Sequence, residues 1–190
     1  EHLGLSDRAE LWQLRADAIR ANVDAHAWYQ EGGHYAASFG ERLSSRLIAA
    51  YFQKAGIPAK QFDAHQAGLL TDARFGNANP LPEADAELKR TLGGSDEIPV
   101  LTGYIGRAPS GDITTLGRNG SDFTAAIIGA ALGAKEIQIW SDTDGIMTAD
   151  PRLVPEARPI EALSFEEASE LAYYGGKVLH PHTLLPAIRK

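Results

Sequence analysis

The run Ile98-Pro99-Val100-Leu101-Thr102-Gly103-Tyr104-Ile105 is apolar almost throughout. A strand with one wet face alternates apolar and polar residues, whereas a strand covered on both faces does not need to. The run therefore predicts a buried strand over Ile98–Ile105 with helices on either side. Helical periodicity is present around it. Gly40–Ala55 reads as a helix burying Leu43, Leu47, Ile48 and Tyr51, and it stops at Gly56. Leu81–Leu92, 121–132 and Phe165–Tyr174 are further helices, and Pro181–Ile188 opens another. Ser6–Gln30 is helical too, with Leu11, Leu14, Ala18 and Val23 near helical spacing. Ile57–Phe62 and Glu136–Trp140 read as strands, and Asn77–Pro82 and Ala108–Asp112 as surface loops. Strands alternating with helices predict an α/β fold, a three-layer α/β/α sandwich with a mainly parallel sheet.

Composition narrows the function. A chain of 190 residues can bury one real core. A net charge of −7 argues against nucleic acid, because phosphate-binding surfaces are usually basic. No apolar run is long enough to span a bilayer, and the polar N-terminus shows no signal peptide. There is no cysteine, so disulfides, thiolate catalysis and Cys-ligated zinc are excluded. These features fit a cytoplasmic enzyme. The chain starts without methionine and ends at Lys190 in mid-pattern, as an excised segment would.

The turn Thr114-Thr115-Leu116-Gly117-Arg118-Asn119-Gly120-Ser121-Asp122 stands directly before the 121–132 helix. A helix N-terminus carries free N–H groups and partial positive charge, so it can seat an anion. Arg118 adds a fork that can grip a carboxylate or phosphate with two hydrogen bonds. The turn alone also fits a plain helix cap, in which Ser121 or Asp122 satisfies the orphan N–H groups.

Two later segments tip that balance. Trp140-Ser141-Asp142-Thr143-Asp144-Gly145-Ile146-Met147-Thr148-Ala149-Asp150-Pro151-Arg152 follows a strand pattern, and Tyr174-Gly175-Gly176-Lys177-Val178-Leu179-His180-Pro181 follows a helical one. With the turn, and with the earlier Phe39-Gly40-Glu41-Arg42-Leu43-Ser44 and Thr71-Asp72-Ala73-Arg74-Phe75-Gly76, the chain resembles the aspartate kinases of the amino acid kinase family from about Gly33 onward. The resemblance implies one partial domain over 1–190. Its parts are a helical N-terminal part (1–32), a substrate-side part (33–110) and a nucleotide-side part (111–190).

The resemblance also assigns roles. Arg118, Asn119, Gly120 and Ser121 would hold L-aspartate, with Arg118 on its α-carboxylate and Glu41 on its ammonium. Asp122 would orient catalytic lysines near the transferring phosphoryl group, alongside Lys177. Ser141 and Asp142 would touch the nucleotide, Met147 would lie in the adenine pocket, and Arg152, Lys177 and Val178 would sit at the phosphates. The implied cofactors are ATP and Mg²⁺, and the implied assembly is a homo-oligomer in the full-length protein. No residue is assigned as a resident metal ligand.

Some features depart from the family pattern. Met147 stands where many members have an aromatic residue, and Ser141 replaces a common threonine. The opening strand with lysine, phenylalanine and two glycines, which cradles phosphates in the family, is not found here. The C-terminal regulatory domains are not found either, and it stays open whether this segment alone is active. No Gly-x-x-x-x-Gly-Lys loop substitutes for the missing cradle, since Gly106–Gly111 continues with Asp112. Asp142, Asp144 and Gly145 lack the full spacing of a calcium loop. His34, His65, His180 and His182 read as ordinary side chains, and Trp12, Trp28 and Trp140 as core or interface.

The implied reaction is phosphoryl transfer from ATP to the side-chain carboxylate of L-aspartate, at the entry to lysine, threonine and methionine biosynthesis. That carboxylate is already a nucleophile at neutral pH, so the work is positioning and charge screening. Two rival readings stand beside it: a sister kinase for glutamate, acetylglutamate or carbamate, and a non-catalytic module for binding or dimerisation.

Overall fold

The computed structural model describes residues 38–141, 145–150, 152–173 and 181–188. Helix α1, Phe39–Lys54, has Glu41 in its first turn and Lys54 in its last, both complementing the helix dipole. It ends where Gly56 takes φ +78°. The Gly56 N–H then donates to the Gln53 carbonyl and the Ile57 N–H to the Phe52 carbonyl, which satisfies two orphan acceptors. Strand β1, Ala59–Phe62, follows and pairs in parallel with β2, Ile98–Leu101, in the register Ala59↔Ile98 to Phe62↔Leu101. Between them lie the single turn α2, Ala64–Ala67, and helix α3, Glu83–Leu92. Helix α3 buries Ala84, Leu88 and Leu92, spaced at i, i+4 and i+8, and keeps its charges outside.

Strands β3, Ile105–Arg107, and β4, Ile113–Thr115, form an antiparallel hairpin around the 108–112 loop, which is exposed except for buried Ala108. Leu70 adds a parallel bridge to Arg107. Helix α4, Gly120–Leu132, is apolar on most sides and packs on α3 and on α6, Pro181–Ile188. Helix α5, Phe165–Tyr173, packs on α6. The core gathers Leu69, Leu88, Leu116, Phe123 and Ile127 with the strand-end residues Phe62 and Leu101. The chain is thus mixed α/β with a parallel pairing, as the alternating pattern predicts.

Four expectations need correction. The apolar run 98–105 is not one strand. It breaks at 102–104, where Thr102 Oγ1 accepts the Ala64 N–H at 2.8 Å and Tyr104 takes φ +69°. Its halves join different pairings. Segment Glu136–Trp140 forms no strand, because no described segment offers it a ladder partner. Gln138 instead bonds Glu136 and Trp140, and Trp140 is 89% exposed rather than in the core. In α1 the packed side is Ser45 and Ala49, against β1, while Leu47, Ile48 and Tyr51 are exposed. The helix has two apolar stripes, and no described element covers the second. The 77–82 loop is also less peripheral than expected, for Ala78 is buried and Pro80 bridges Thr71.

Candidate active site

Glu41 is the centre of the site. The first turn of α1 presents its carboxylate to two donors from distant parts of the chain. The Gly103 N–H donates to Oε2 at 2.9 Å and the Ser121 hydroxyl to Oε1 at 2.5 Å. The break between β2 and β3 supplies the first donor, and the start of α4 supplies the second. The two segments touch so closely that a Cβ on Gly103 would lie 2.7 Å from Ser121 Cα. One candidate carboxylate is therefore held from two sides beside the Arg118 turn.

The turn itself is braced from below. Asp72 gathers the Arg74 and Asn79 backbone N–H groups, the Arg74 guanidinium and the Asn79 amide. Burial raises the Asp72 pKa, but these hydrogen bonds outweigh it, and the carboxyl sits below its ordinary range. The loop so formed donates the Ala78 N–H to the Thr115 carbonyl and sets the Gly76 carbonyl against Gly117. This gives the Thr71–Gly76 motif a physical role, because it shapes the floor under residues 115–117. Gly117 has φ +83°, and a Cβ there would meet the Gly76 oxygen at 2.8 Å. Gly117→Ala is expected to cost about 1–3 kcal/mol, read as a lowered melting temperature of the intact protein. An unchanged melt would show the turn to be slack.

Arg118 is exposed, with no ion-pair partner among the described residues. Asn119 sits in the left-handed region at φ 55°. It precedes α4 without making a side-chain cap bond. The cap reading fails for Ser121, whose hydroxyl is committed to Glu41. Among the described residues Asp122 accepts only a long 3.5 Å contact from the Asn119 amide. Gly120 is buried, and a Cβ would strike the Tyr104 ring at 2.7 Å. Glu41, Asn119, Gly120, Ser121 and Asp122 are thus drawn into one neighbourhood, and exposed Arg118 directly precedes Asn119 in the chain.

The nucleotide-side candidates are more scattered. Met147 is held by an antiparallel bridge to Pro159, flanked by Thr148 N–H to Arg158 O and Ile160 N–H to Ile146 O. Arg152 donates Nε and Nη2 to the Asp150 carboxylate at 3.0 and 2.7 Å. That hydrogen bond and the Asp150 charge raise the Arg152 pKa further. Ser141 is exposed. Asp142, Lys177 and Val178 lie outside the described residues, as do Trp12, Trp28, His34 and His180. His65 is buried, and among the described residues its Nδ1 has no hydrogen-bond partner. Among the described residues no group of three His, Asp or Glu side chains could hold a metal ion.

The sequence reading missed Gly103, Tyr104 and Thr124, which shape the Glu41 clasp. The available signal was a glycine inside an apolar strand pattern, which marks a bulge or a close backbone approach.

The sequence profile described as the amino acid kinase family matches residues 2–190. The chain belongs to the amino acid kinase family. Among similar members, "Aspartokinase 2, chloroplastic" from Arabidopsis thaliana is 48% identical over 158 residues, covering 80% of this chain and 29% of that protein. "Aspartokinase" from Thermus thermophilus is 44% identical over 150 residues, covering 79% of this chain and 37% of the relative. This family member thus spans about a third of those relatives' length. The crystal structure of E. coli aspartokinase III in complex with aspartate and ADP superposes with a TM-score of 0.79 at 36% identity, covering 96% of this chain and 41% of that one. The fold is that of the amino acid kinases.

Proposed function

We propose that the intact protein is an aspartate kinase, forming 4-phospho-L-aspartate from L-aspartate and ATP as the first step toward lysine, threonine and methionine. The observation that carries this reading is the Glu41 carboxylate clasped by Ser121 and Gly103 beside the Arg118 turn. A small amino acid needs an anion for its ammonium and a cation for its α-carboxylate, and the clasp and the turn offer the two side by side. The aspartokinase relatives, and the aspartate and ADP bound by the E. coli structure, support the same acceptor and donor.

In this reading Glu41 takes the substrate ammonium, a partner that group needs once it leaves water. Arg118 takes the α-carboxylate through a bidentate pair. Asn119, Gly120 and Ser121 fix the acceptor's orientation, and Asp122 stands in the first turn of α4, where it would orient Lys177. Magnesium-bound ATP supplies the electrophilic phosphorus and much of the charge neutralisation. A side-chain carboxylate oxygen forms the new bond to Pγ, the bridging P–O bond breaks, and its electron pair leaves with ADP. Magnesium would be held mainly through the nucleotide phosphates, and among the described residues no acidic cluster stands ready for it. Ser141, Asp142, Met147 and Val178 would border the nucleotide. Lys177 and Arg152, the latter steadied by Asp150, would face its phosphates. Glu41 comes from the 33–110 part and Arg118–Ser121 from the 111–190 part, so the acceptor site would span that division. Homo-oligomeric assembly and a cytoplasmic setting belong to the same reading. The absence of cysteine favours the latter, while relatives named chloroplastic offer a second setting. No helix among the described residues is long and apolar enough to cross a membrane.

Arg118→Ala in the intact protein tests the reading. The KM for aspartate should rise about a hundredfold, the KM for ATP should stay within about twofold, and the melting temperature should not move. Assaying glutamate, acetylglutamate and carbamate beside aspartate settles acceptor choice. A variant with unchanged aspartate KM, or faster turnover of another acid, would defeat the proposal.

A further inference from the structure

Tyr104 holds φ +69°, a left-handed backbone that a bulky residue keeps only when its surroundings enforce it. Two hydrogen bonds do so. The Tyr104 carbonyl accepts the Leu116 N–H at 2.9 Å, and the Tyr104 N–H donates to Thr124 Oγ1 at 3.0 Å. Thr124 is buried one turn into α4, and its own proton goes to the Gly120 carbonyl at 2.7 Å. That back-bond alone would be an ordinary habit of helical threonine. The second bond, to an N–H twenty residues earlier in the chain and outside the helix, is not.

This one hydroxyl ties the β2–β3 break to the first turn of α4. Both supports of Glu41 hang on the two segments it joins. Gly103, adjacent to Tyr104, donates to Oε2, and Ser121, adjacent to Gly120, donates to Oε1. Packing leaves little slack for any other arrangement, since a Cβ on Gly103 would strike Ser121 and one on Gly120 would strike Tyr104. We infer that Thr124 is a positioning residue for the acceptor amino acid. By locking Tyr104 in its strained conformation it aims the Gly103 N–H and the Ser121 hydroxyl at Glu41, and so sets where the substrate ammonium is held. The inference rests on the proposed function only for what Glu41 grips.

The test compares Thr124→Val, Thr124→Ser and the double variant Thr124→Val/Tyr104→Gly in the intact protein, with two readouts. In kinetics, Thr124→Val should raise the aspartate KM about tenfold, with the ATP KM within about twofold, because the part-buried Tyr104 N–H loses its acceptor and the clasp drifts. Thr124→Ser keeps the hydroxyl and should stay within about threefold of wild type. Adding Tyr104→Gly should recover at least about threefold of the loss, since glycine takes a positive φ without a clamp. A role confined to packing α4 would affect both substrates and would not be rescued. In hydrogen exchange, the Gly103 and Tyr104 amides should exchange about tenfold faster in Thr124→Val and at the wild-type rate in Thr124→Ser.

Equal losses toward both substrates, absence of rescue, or unchanged exchange in Thr124→Val would overturn the inference. A tenfold loss in Thr124→Ser would overturn it too, and that variant decides even if Thr124→Val does not fold. Should the wild-type protein fail to phosphorylate aspartate, the proposed function falls. The exchange arm then decides alone: faster exchange in the valine variant only supports the clamp, and equal exchange refutes it.

Discussion

Glu41→Ala in the intact protein should lower kcat/KM for aspartate by about a thousandfold while the KM for ATP stays within about twofold. Two effects add. The substrate ammonium loses its only proposed counter-charge, and the Gly103 N–H and Ser121 hydroxyl lose their acceptor. Removing one member of a desolvated charge pair leaves the other exposed to the full desolvation penalty, about 2–5 kcal/mol. Glu41→Gln separates the two effects. Its amide oxygen can still accept from Gly103, so the local geometry survives while the charge is gone. The Gln variant should therefore melt like wild type yet retain most of the kinetic loss. Steady-state kinetics with each substrate varied in turn checks this. A defect shared equally by both substrates would remove Glu41 from the acceptor site.

Asp63→Ala should destabilise the intact protein by about 3–5 kcal/mol, the range for breaking a buried ion pair by deleting one partner. Asp63 is 1% exposed at the end of β1. It meets Arg42 at 2.9 Å and Arg46 at 3.2 Å, both on α1, and accepts the Gln61 amide at 2.8 Å. Two guanidiniums one helical turn apart thus fasten α1 to the strand, with Glu41 next to the first of them. Thermal melts of the variant should show a drop of about 10 °C. A drop of only a degree or two would mean that the strand pairing holds α1 without the ion cluster.

The same cluster sets an acid dependence. Burial pushes the Asp63 pKa up, but Gln61, Arg46 and Arg42 push it down by more, so the folded value lies below the ordinary 3.8. A depressed carboxylate stabilises the fold above its unfolded pKa, and that stability drains away as pH falls from about 4 through the folded value. Burial lowers the pKa of nearby His65 below 6.5, against an upward pull from the Asp63 charge and with further lowering by Arg42, Arg107 and Arg46. The folded state therefore prefers neutral His65, and protonation of the unfolded chain below about 6.5 favours unfolding. Both titrations act in the same direction, one window above the other. Melting temperature should fall in two steps on acidification, and His65→Gln should remove the upper one.

The sequence determined the local pieces: the Leu81–Leu92 helix, the Gly56 stop, and the Arg118 turn between Gly117 and Gly120 ahead of α4. Each depends on residues within a few positions of one another, where spacing alone specifies geometry. The tertiary structure decided what long-range contact controls. Gly103 hinted at a bulge in Ile98–Ile105, but the full break depends on acceptors at Thr102 and Thr124 that meet Ala64 and Tyr104 only after folding. Glu136–Trp140 shows the converse: it carries a strand's composition, yet an extended segment becomes a strand only beside a neighbour whose N–H and C=O groups answer its own. The motifs pointed to Glu41 and Ser121 separately, eighty residues apart. Only the packing of Gly103 against Ser121 and of Gly120 against Tyr104, where a Cβ would collide, brings them within a single hydrogen bond.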